Sequence, residues 1–472
     1  MPTISDEGTF INGLAYAPDG VTPVNYNATT LGYQGSVGVG IDGVAGTGDE
    51  SVLDGLDAPD LEIADLNGVG IGLSVEASDT EIAYVAIHGF GNTGDSANIF
   101  VDGAGITNVR IHDNVLGATA GAFEEANTFG DSTHNIVVRS ADSGVIEDNL
   151  IGFTRLSGVL LTAGADEWEI VRNEIRSIGE AGSEEDGIDI GIQSTGALVS
   201  GNLIEGSAGF GIDTLGSGGN EIFDNTISNN GIGNNEVGGI RLGGDGNSVE
   251  RNVISSNRGA GVNVIGDFDD GSQTFTASTD NLISKNSFEL NDGLAIDLVE
   301  STSDPDSLRS GDGHNGNDFQ SNATTGNDGI DHPVLTEAFI VSDGLHIVGS
   351  FNSNQDIDRV EVYFAVPGNG DVDGSGVSVG EGSRFLGVLD ATNLISFDPA
   401  TGVFESVIAT PPVGWASDLL DGSGSITAIA IAESNSTSEF SANEQINLRP
   451  VAEESGVTLL EDGEHVLSLI HI

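Results

Sequence analysis

Seven times between Ile111 and Phe288 the chain repeats one frame: an apolar residue, two variable residues, an asparagine, one variable residue and a second apolar residue. The instances are Ile111/Asn114/Leu116, Ile146/Asn149/Ile151, Ile170/Asn173/Ile175, Val199/Asn202/Ile204, Ile222/Asn225/Ile227, Val249/Asn252/Ile254 and Ile283/Asn286/Phe288, at intervals of 23 to 35 residues. A period in that range means stacked units, so the chain must fold as a solenoid. Gly, Asp, Ser and Asn flank the apolar positions, which reads as short strands broken by turns.

A second block follows each asparagine: Gly158–Leu161, Gly187–Ile190, Gly211–Thr214, Gly239–Leu242, Gly261–Val264 and Ala295–Leu298. It alternates as a strand with one buried face does. If successive units coil in register, each strand pairs in parallel with its equivalents about 4.8 Å away, and equivalent residues stack. Asparagine tolerates the left-handed backbone of a tight turn, and a column of its amides can hydrogen-bond along the coil axis. The repeated polar residue is then explained without chemistry.

With these features, residues from about 20 to 300 resemble the right-handed parallel β-helix proteins of pectin-lyase-like architecture, in particular large bacterial surface and secreted proteins. Asn27–Tyr33 is similar to the first-coil segment of that group and Ile82–Phe90 to its second coil, with Val85 where later coils have asparagine. The resemblance implies an exported chain, extracellular or at the cell surface, with Met1 internal to a longer protein.

Composition agrees with a turn-rich β protein: 70 glycines, no cysteine and 6% aromatic residues. A net charge of -61, with Lys285 the only lysine, excludes nucleic acid and anionic membrane surfaces as partners and favours cations. Calcium in carboxylate turns and a solvated acidic surface suited to salty water are the two readings of that charge. No apolar stretch reaches the ~20 residues that span a bilayer, and no signal peptide is visible at the N-terminus.

The β-helix with its N-terminal cap is expected over 1–300 and an acidic Gly/Asn/Asp-rich linker over 301–332. From 333 to 449 alternating apolar runs resume, including Leu345–Val348, Val360–Phe364, Phe385–Leu389 and Ile426–Ile431, which argues an antiparallel β-sandwich. His332–Leu335, Gly380–Gly387 and Asn435–Ser441 resemble the immunoglobulin-like module of such surface proteins. Residues 450–466 resemble the start of a further, cadherin-like module, and 467–472 the translation of a sequencing adapter.

The outward positions of the second strand form a column: Leu160, Asp189, Asp213, Arg241, Asn263 and Asp297. Adjacent coils bring Asp189 and Asp213 toward the separation of paired carboxylates in glycoside hydrolysis, with Arg241 one coil on and Asp186 beside them. In a chain with 74 acidic residues, stacked aspartates on a solvated face are also the chance expectation. Asp186–Ile190 resembles a polygalacturonase segment, but the Asp-Asp, Gly-His-Gly and Arg-Ile-Lys signatures of that family are missing.

For calcium, Asn369, Asp371 and Asp373 supply alternating oxygens like the start of an EF-hand loop, although Glu381 falls one position late and no helices flank it. The linker carboxylates Asp304, Asp306, Asp312 and Asp318 are a second candidate set. His88 and His112 have no clustered partners at zinc spacing and are expected as turn or surface histidines. The resulting expectation is a non-catalytic segment of a large exported bacterial surface protein, acting as a rigid spacer or contacting an extracellular polysaccharide or cell-surface glycan. The alternative is a polysaccharide hydrolase or lyase working at Asp189, Asp213 and Arg241.

Overall fold

The computed structural model describes residues 2–448 except 28, 66–67, 92, 95, 126–131, 181–184, 192, 234–236, 270–273, 301–310, 319–320, 342–343, 353, 366–376, 391 and 410–423. Its larger part is a parallel β-helix with three long sheets. The first has ten strands, from Thr3–Ile4 to Ile296–Leu298. The second has nine, from Phe10–Asn12 to Leu282–Ser284, and the third nine, from Leu61–Ala64 to Ser287–Glu289.

The asparagine frame wraps a corner of this prism. Its first apolar residue belongs to the second sheet, where Ile111, Ile146, Ile170, Val199, Ile222, Val249 and Ile283 stack in register. Its second belongs to the third sheet, where Leu116, Ile151, Ile175, Ile204, Ile227, Ile254 and Phe288 do the same. Both columns are buried, and each such side chain contributes roughly 1.5–3 kcal/mol of hydrophobic stabilisation. The asparagines between them form an unbroken amide ladder from Asn114 to Asn286, with Nδ2-to-Oδ1 distances of 2.9–3.1 Å.

The left-handed residue of this corner is not the asparagine but the residue before it. Asp113, Asp148, Arg172, Gly201, Asp224, Arg251 and Lys285 have φ between 53° and 65°. That single residue swings the chain from one sheet to the next and leaves the asparagine free to aim its amide along the axis. The other two corners use the same device, with Gly219, Gly246 and Asp280 ahead of Asn220, Asn247 and Asn281, and Asn229, Ser256 and Leu290 ahead of Asn230, Asn257 and Asn291. Each of these trios makes a further, shorter ladder.

Asn27–Tyr33 is not a coil of the β-helix, which corrects the expectation drawn from resemblance. Thr30–Leu31 pairs antiparallel with Leu56–Asp57, and Gly35–Val37 with Ser51–Leu53. This strap lies lengthwise across the third sheet because the outward positions there are apolar. Leu31 and Leu56 pack on Ala86, Val115 and Leu150, and Val37 and Leu53 on Leu203. Polar ties fix its register along the rod: Tyr33 N to Glu174 Oε2, Gly38 N to Thr226 Oγ1 (3.1 Å) and Val39 N to Arg251 O (3.0 Å). Ile82–Phe90 does lie in the second coil, and Val85 N donates to Asn114 Oδ1, where the ladder begins.

Beyond the linker, eight strands from Val334–Val341 to Glu444–Leu448 form one sheet, antiparallel except where Val334–Val341 and Glu444–Leu448 run parallel. Leu345 and Phe404 from one half share an apolar cluster with Val362, Leu386 and Ala428 from the other, so the sheet curls over on itself. Tyr363 and Ile431 of this sheet, and Phe440 from the loop between its strands Ser425–Ala432 and Glu444–Leu448, also join the β-helix core. The curled sheet therefore sits directly on the end of the rod.

At that end it takes the place of a tenth full coil. In inner coils the N–H of each left-handed corner residue bonds to a carbonyl of the next coil, as Arg251 does to Ser284 (3.2 Å) and Ser256 to Glu289 (2.9 Å). In the last coil side chains of the curled sheet accept instead. Lys285 N donates to Glu361 Oε2 (3.1 Å) and Tyr363 OH (2.7 Å), Leu290 N to Glu381 Oε2 (2.5 Å), and Asp280 N to Ser436 Oγ (3.2 Å). Asn291 N and Nδ2 both reach Glu381 Oε1 (2.8 and 3.0 Å), as Asn257 N and Nδ2 reach Asn291 Oδ1 one coil earlier. Leu298 N closes on Glu439 Oε1 at 3.0 Å. Buried N–H groups need such partners.

Candidate functional site

The outward column of the first sheet stands in the expected register: Leu160, Asp189, Asp213, Arg241, Asn263 and Asp297 are paired neighbours from coil to coil. Its environment differs from a solvated face. Asp213, Arg241, Asn263 and Asp297 are buried and Asp189 is half-buried. Phe210, itself buried, lies under the Arg241 guanidinium at 4.8 Å. The buried carboxylate of Asp186 accepts the Phe210 N–H at 2.6 Å.

Arg241 grips Asp213 with both arms, Nε to Oδ1 at 2.8 Å and Nη2 to Oδ2. Such a fork fixes the plane of the carboxylate and engages both of its oxygens. Asp189 is different. Burial, followed by the negative charge of Asp213, pushes its carboxyl up to about 7. The same two causes, with Asp189 adding to them, push Asp186 well above the usual carboxylate range. Chemically, the column offers one aspartate already engaged by an arginine and one half-buried aspartate able to hold a proton near neutrality.

Of the linker carboxylates, Asp312 comes close to the column but not as an open ligand. Its Oδ2 accepts Glu300 N at 2.8 Å, while its own N–H and that of Gly313 reach Asp297 (3.4 and 3.2 Å). Burial and then the charge of Asp312 push Asp297 up to about 7. Asp318 lies elsewhere in the linker, where its N–H donates to Asp331 Oδ1 at 3.1 Å. Asn369, Asp371, Asp373, Asp304 and Asp306 lie outside the described residues. Among the described residues no group of three or more His, Asp or Glu side chains converges to hold a metal ion.

His112 has partners that the sequence did not indicate. Its Nδ1 lies 2.7 Å from Asp113 Oδ2 and its Nε2 2.7 Å from Glu81 Oε1, across two coils. Burial opposes the imidazolium, but the hydrogen bonds to Asp113 and Glu81 outweigh it and raise the ring above its ordinary value. The stabilisation is therefore full below the ordinary histidine range and is lost as pH rises through the raised folded value. His112→Gln should accordingly destabilise the protein at about pH 6, and the difference from wild type should shrink by about pH 9, read by urea unfolding. Arginines act between coils too: Arg139 forks onto Asp102 (2.9 and 2.6 Å) and Arg172 onto Asp148 (2.9 and 2.7 Å).

Sequence reasoning passed over Glu361 and Glu439 and weighed Glu381 only as a calcium ligand, yet all three stand at the rod end. Glu361, Glu381 and Glu439 are 0%, 2% and 3% exposed. For Glu361 the available signal was an acidic residue inside an apolar strand, Val360-Glu361-Val362-Tyr363, whereas Glu381 and Glu439 lie outside the strands and carry no such mark.

Two family models match the chain: a right-handed β-helix region over residues 157–355 and a periplasmic copper-binding protein (NosD) over 63–232. Copper is bound by His, Cys or Met donors. Within 63–232 the donors of that kind are His88, His112 and His134, engaged separately with Glu62, with Glu81 and Asp113, and with the Ser157 and Gly94 carbonyls. These residues do not fit a copper centre.

No curated protein matches the chain. Similar solved structures include DFA-IIIase from Arthrobacter chlorophenolicus A6, in a mutant form (16% identity, 46% of this chain and 50% of that chain, TM-score 0.33). Others are PfbA, a surface adhesin of Streptococcus pneumoniae (12%, 63% and 77%, TM-score 0.35), and the mannuronan C-5 epimerase AlgE6 A-module of Azotobacter vinelandii (15%, 50% and 76%, TM-score 0.30). The chain spans half the length of the first of these. Three registered parallel sheets, the asparagine ladder and the β-helix family model together make this chain a parallel β-helix protein.

Proposed function

We propose that this chain is a non-catalytic segment of an exported bacterial surface protein, in which the β-helix is a rigid rod that contacts extracellular glycan and the curled, immunoglobulin-like sheet terminates it. The observation that carries this reading is the buried fork between Arg241 and Asp213, which occupies the carboxylate a hydrolase would need free. The capped rod end supports it, since rod and cap share one core and the last coil hydrogen-bonds directly to Glu361 and Glu381. A panel of immobilised polysaccharides tests it: the chain is expected to be retained on at least one member and to release no reducing ends.

A second reading is kept because Asp189 is half-exposed and holds its proton up to about 7, as a general acid must. It makes the protein a polysaccharide-cleaving enzyme at Asp189, Asp213 and Arg241. Reducing-end release that falls by about 100-fold or more in Asp189→Asn establishes this second reading in place of the first. Release unchanged in that variant removes the column from consideration.

A further inference from the structure

We propose that the curled sheet carries a binding site for a cationic amino sugar, in a cleft between Phe397 and Glu433. The proposal rests on the glycan-contacting reading above and names its site and ligand class. The cleft has a volume of 360 Å³, within the usual range for small-molecule sites of roughly 300–1,000 Å³. One wall is a stack of three rings. Phe351 lies 5.3 Å from Phe397 with 17° between their planes, and 5.8 Å from Phe404 with 29°. Phe404 is buried, Phe351 half-buried and Phe397 40% exposed. The stack thus grows out of the core and ends in an open ring.

The rim is acidic. Asp356, Asp358, Asp390 and Glu433 line the cleft with one cation, Arg359, whose guanidinium is held by Asp358 at 3.2 Å and Glu361 at 3.3 Å. A flat apolar wall beside unbalanced carboxylates selects a ligand with an apolar ring face and a positive charge. A pyranose presents its C–H face to an aromatic ring, and an ammonium on that sugar reaches the rim with charge-assisted hydrogen bonds. An N-acetylated sugar keeps the stacking and loses the charge. A uronate keeps the ring and is repelled.

Calorimetric titration of the full chain with tetramers of β-1,4-linked glucosamine, β-1,4-linked N-acetylglucosamine and α-1,4-linked galacturonate tests the proposal. The glucosamine tetramer is expected to bind, more weakly as salt rises, and the other two are not. Phe397→Ala should weaken that binding by about tenfold or more and Phe397→Tyr should keep it. Urea unfolding should show both variants folded, since the ring is on the surface. Equal affinity in Phe397→Ala, or preference for the acetylated or acidic tetramer, overturns the site. If the polysaccharide panel retains the chain while Phe397→Ala changes nothing, this cleft is wrong and the glycan reading stands. If the panel retains nothing and no tetramer binds, both fall.

Discussion

Replacing Asn202 by leucine should remove about 3–5 kcal/mol of stability. The side chain is fully buried and makes four contacts. Its Nδ2 donates to Ile170 O (2.8 Å) and Asn225 Oδ1 (2.9 Å), and its Oδ1 accepts Asn173 N (2.8 Å) and Asn173 Nδ2 (3.1 Å). Leucine fills much the same space, so the loss is polar: Asn173 N loses its acceptor, and Asn173 Nδ2, Ile170 O and Asn225 Oδ1 each lose one hydrogen bond in the core, although Asn173 Nδ2 keeps Ile146 O and Asn225 Oδ1 keeps the backbone N–H of residue 202. Each such group costs about 1–3 kcal/mol, with some relief from relaxation. Substitution of the exposed Asn354 should change stability by less than about 0.5 kcal/mol.

Asn202→Asp gives the sharper test. It preserves the acceptor for Asn173 but turns a carboxylate oxygen toward Asn225 Oδ1 and Ile170 O. Burial raises the folded pKa of that aspartate above the unfolded value of about 3.9, so the variant loses stability as pH rises from there. Urea midpoints for Asn202→Asp should approach wild type near pH ~4 and separate steadily toward pH ~7. A pH-independent difference would mean that the ladder does not carry the energy assigned to it.

The ladder was legible because an amide facing its own copy must recur with every coil. Its turn was not, because the left-handed position is filled by Asp113, Arg172, Gly201 and Lys285 alike, and no composition marks it. The shorter ladders at Asn220 and Asn230 escaped notice for a related reason. Earlier coils place Trp168 and Ala197 at the first of those corners and Ile178 and Ser207 at the other, so the repeat is too short to stand out. Register along the strands was equally readable, which is why Asp189, Asp213 and Arg241 fall in one column as anticipated. Burial was not, since Phe210 and the turn at Asp186 that cover the column come from segments of variable length. The strap had a clue in the outward apolar residues Val115, Leu150 and Leu203, which an uncovered sheet would not carry. Reading Asn27–Tyr33 as a coil failed because two residues of strand pair equally well either way.

Glu381→Ala should be the most damaging change outside the coils, although Glu381 belongs to no coil and no candidate catalytic set. Its two oxygens terminate the third sheet by accepting Leu290 N, Asn291 N and Asn291 Nδ2. Truncation leaves the Leu290 and Asn291 N–H groups without their acceptor in a part-buried seam and takes one of two acceptors from Asn291 Nδ2, which keeps Ile254 O, a loss of about 2–3 kcal/mol. Glu381→Gln should fall between alanine and wild type, because its amide oxygen can still serve Asn291 while its NH₂ faces the Leu290 N–H. Amide exchange should localise the effect, with Lys285, Leu290 and Asn291 losing protection while Ile111 and Ile146 keep theirs. The reason is one of geometry. A parallel β-helix satisfies each coil with the next, so its stability depends on what closes the last one, and here that closure is made by Glu361, Glu381 and Glu439, carboxylates from a separate sheet. If Glu381→Ala frays only its own strand and leaves the last coil protected, the curled sheet is a neighbour of the rod and not its cap.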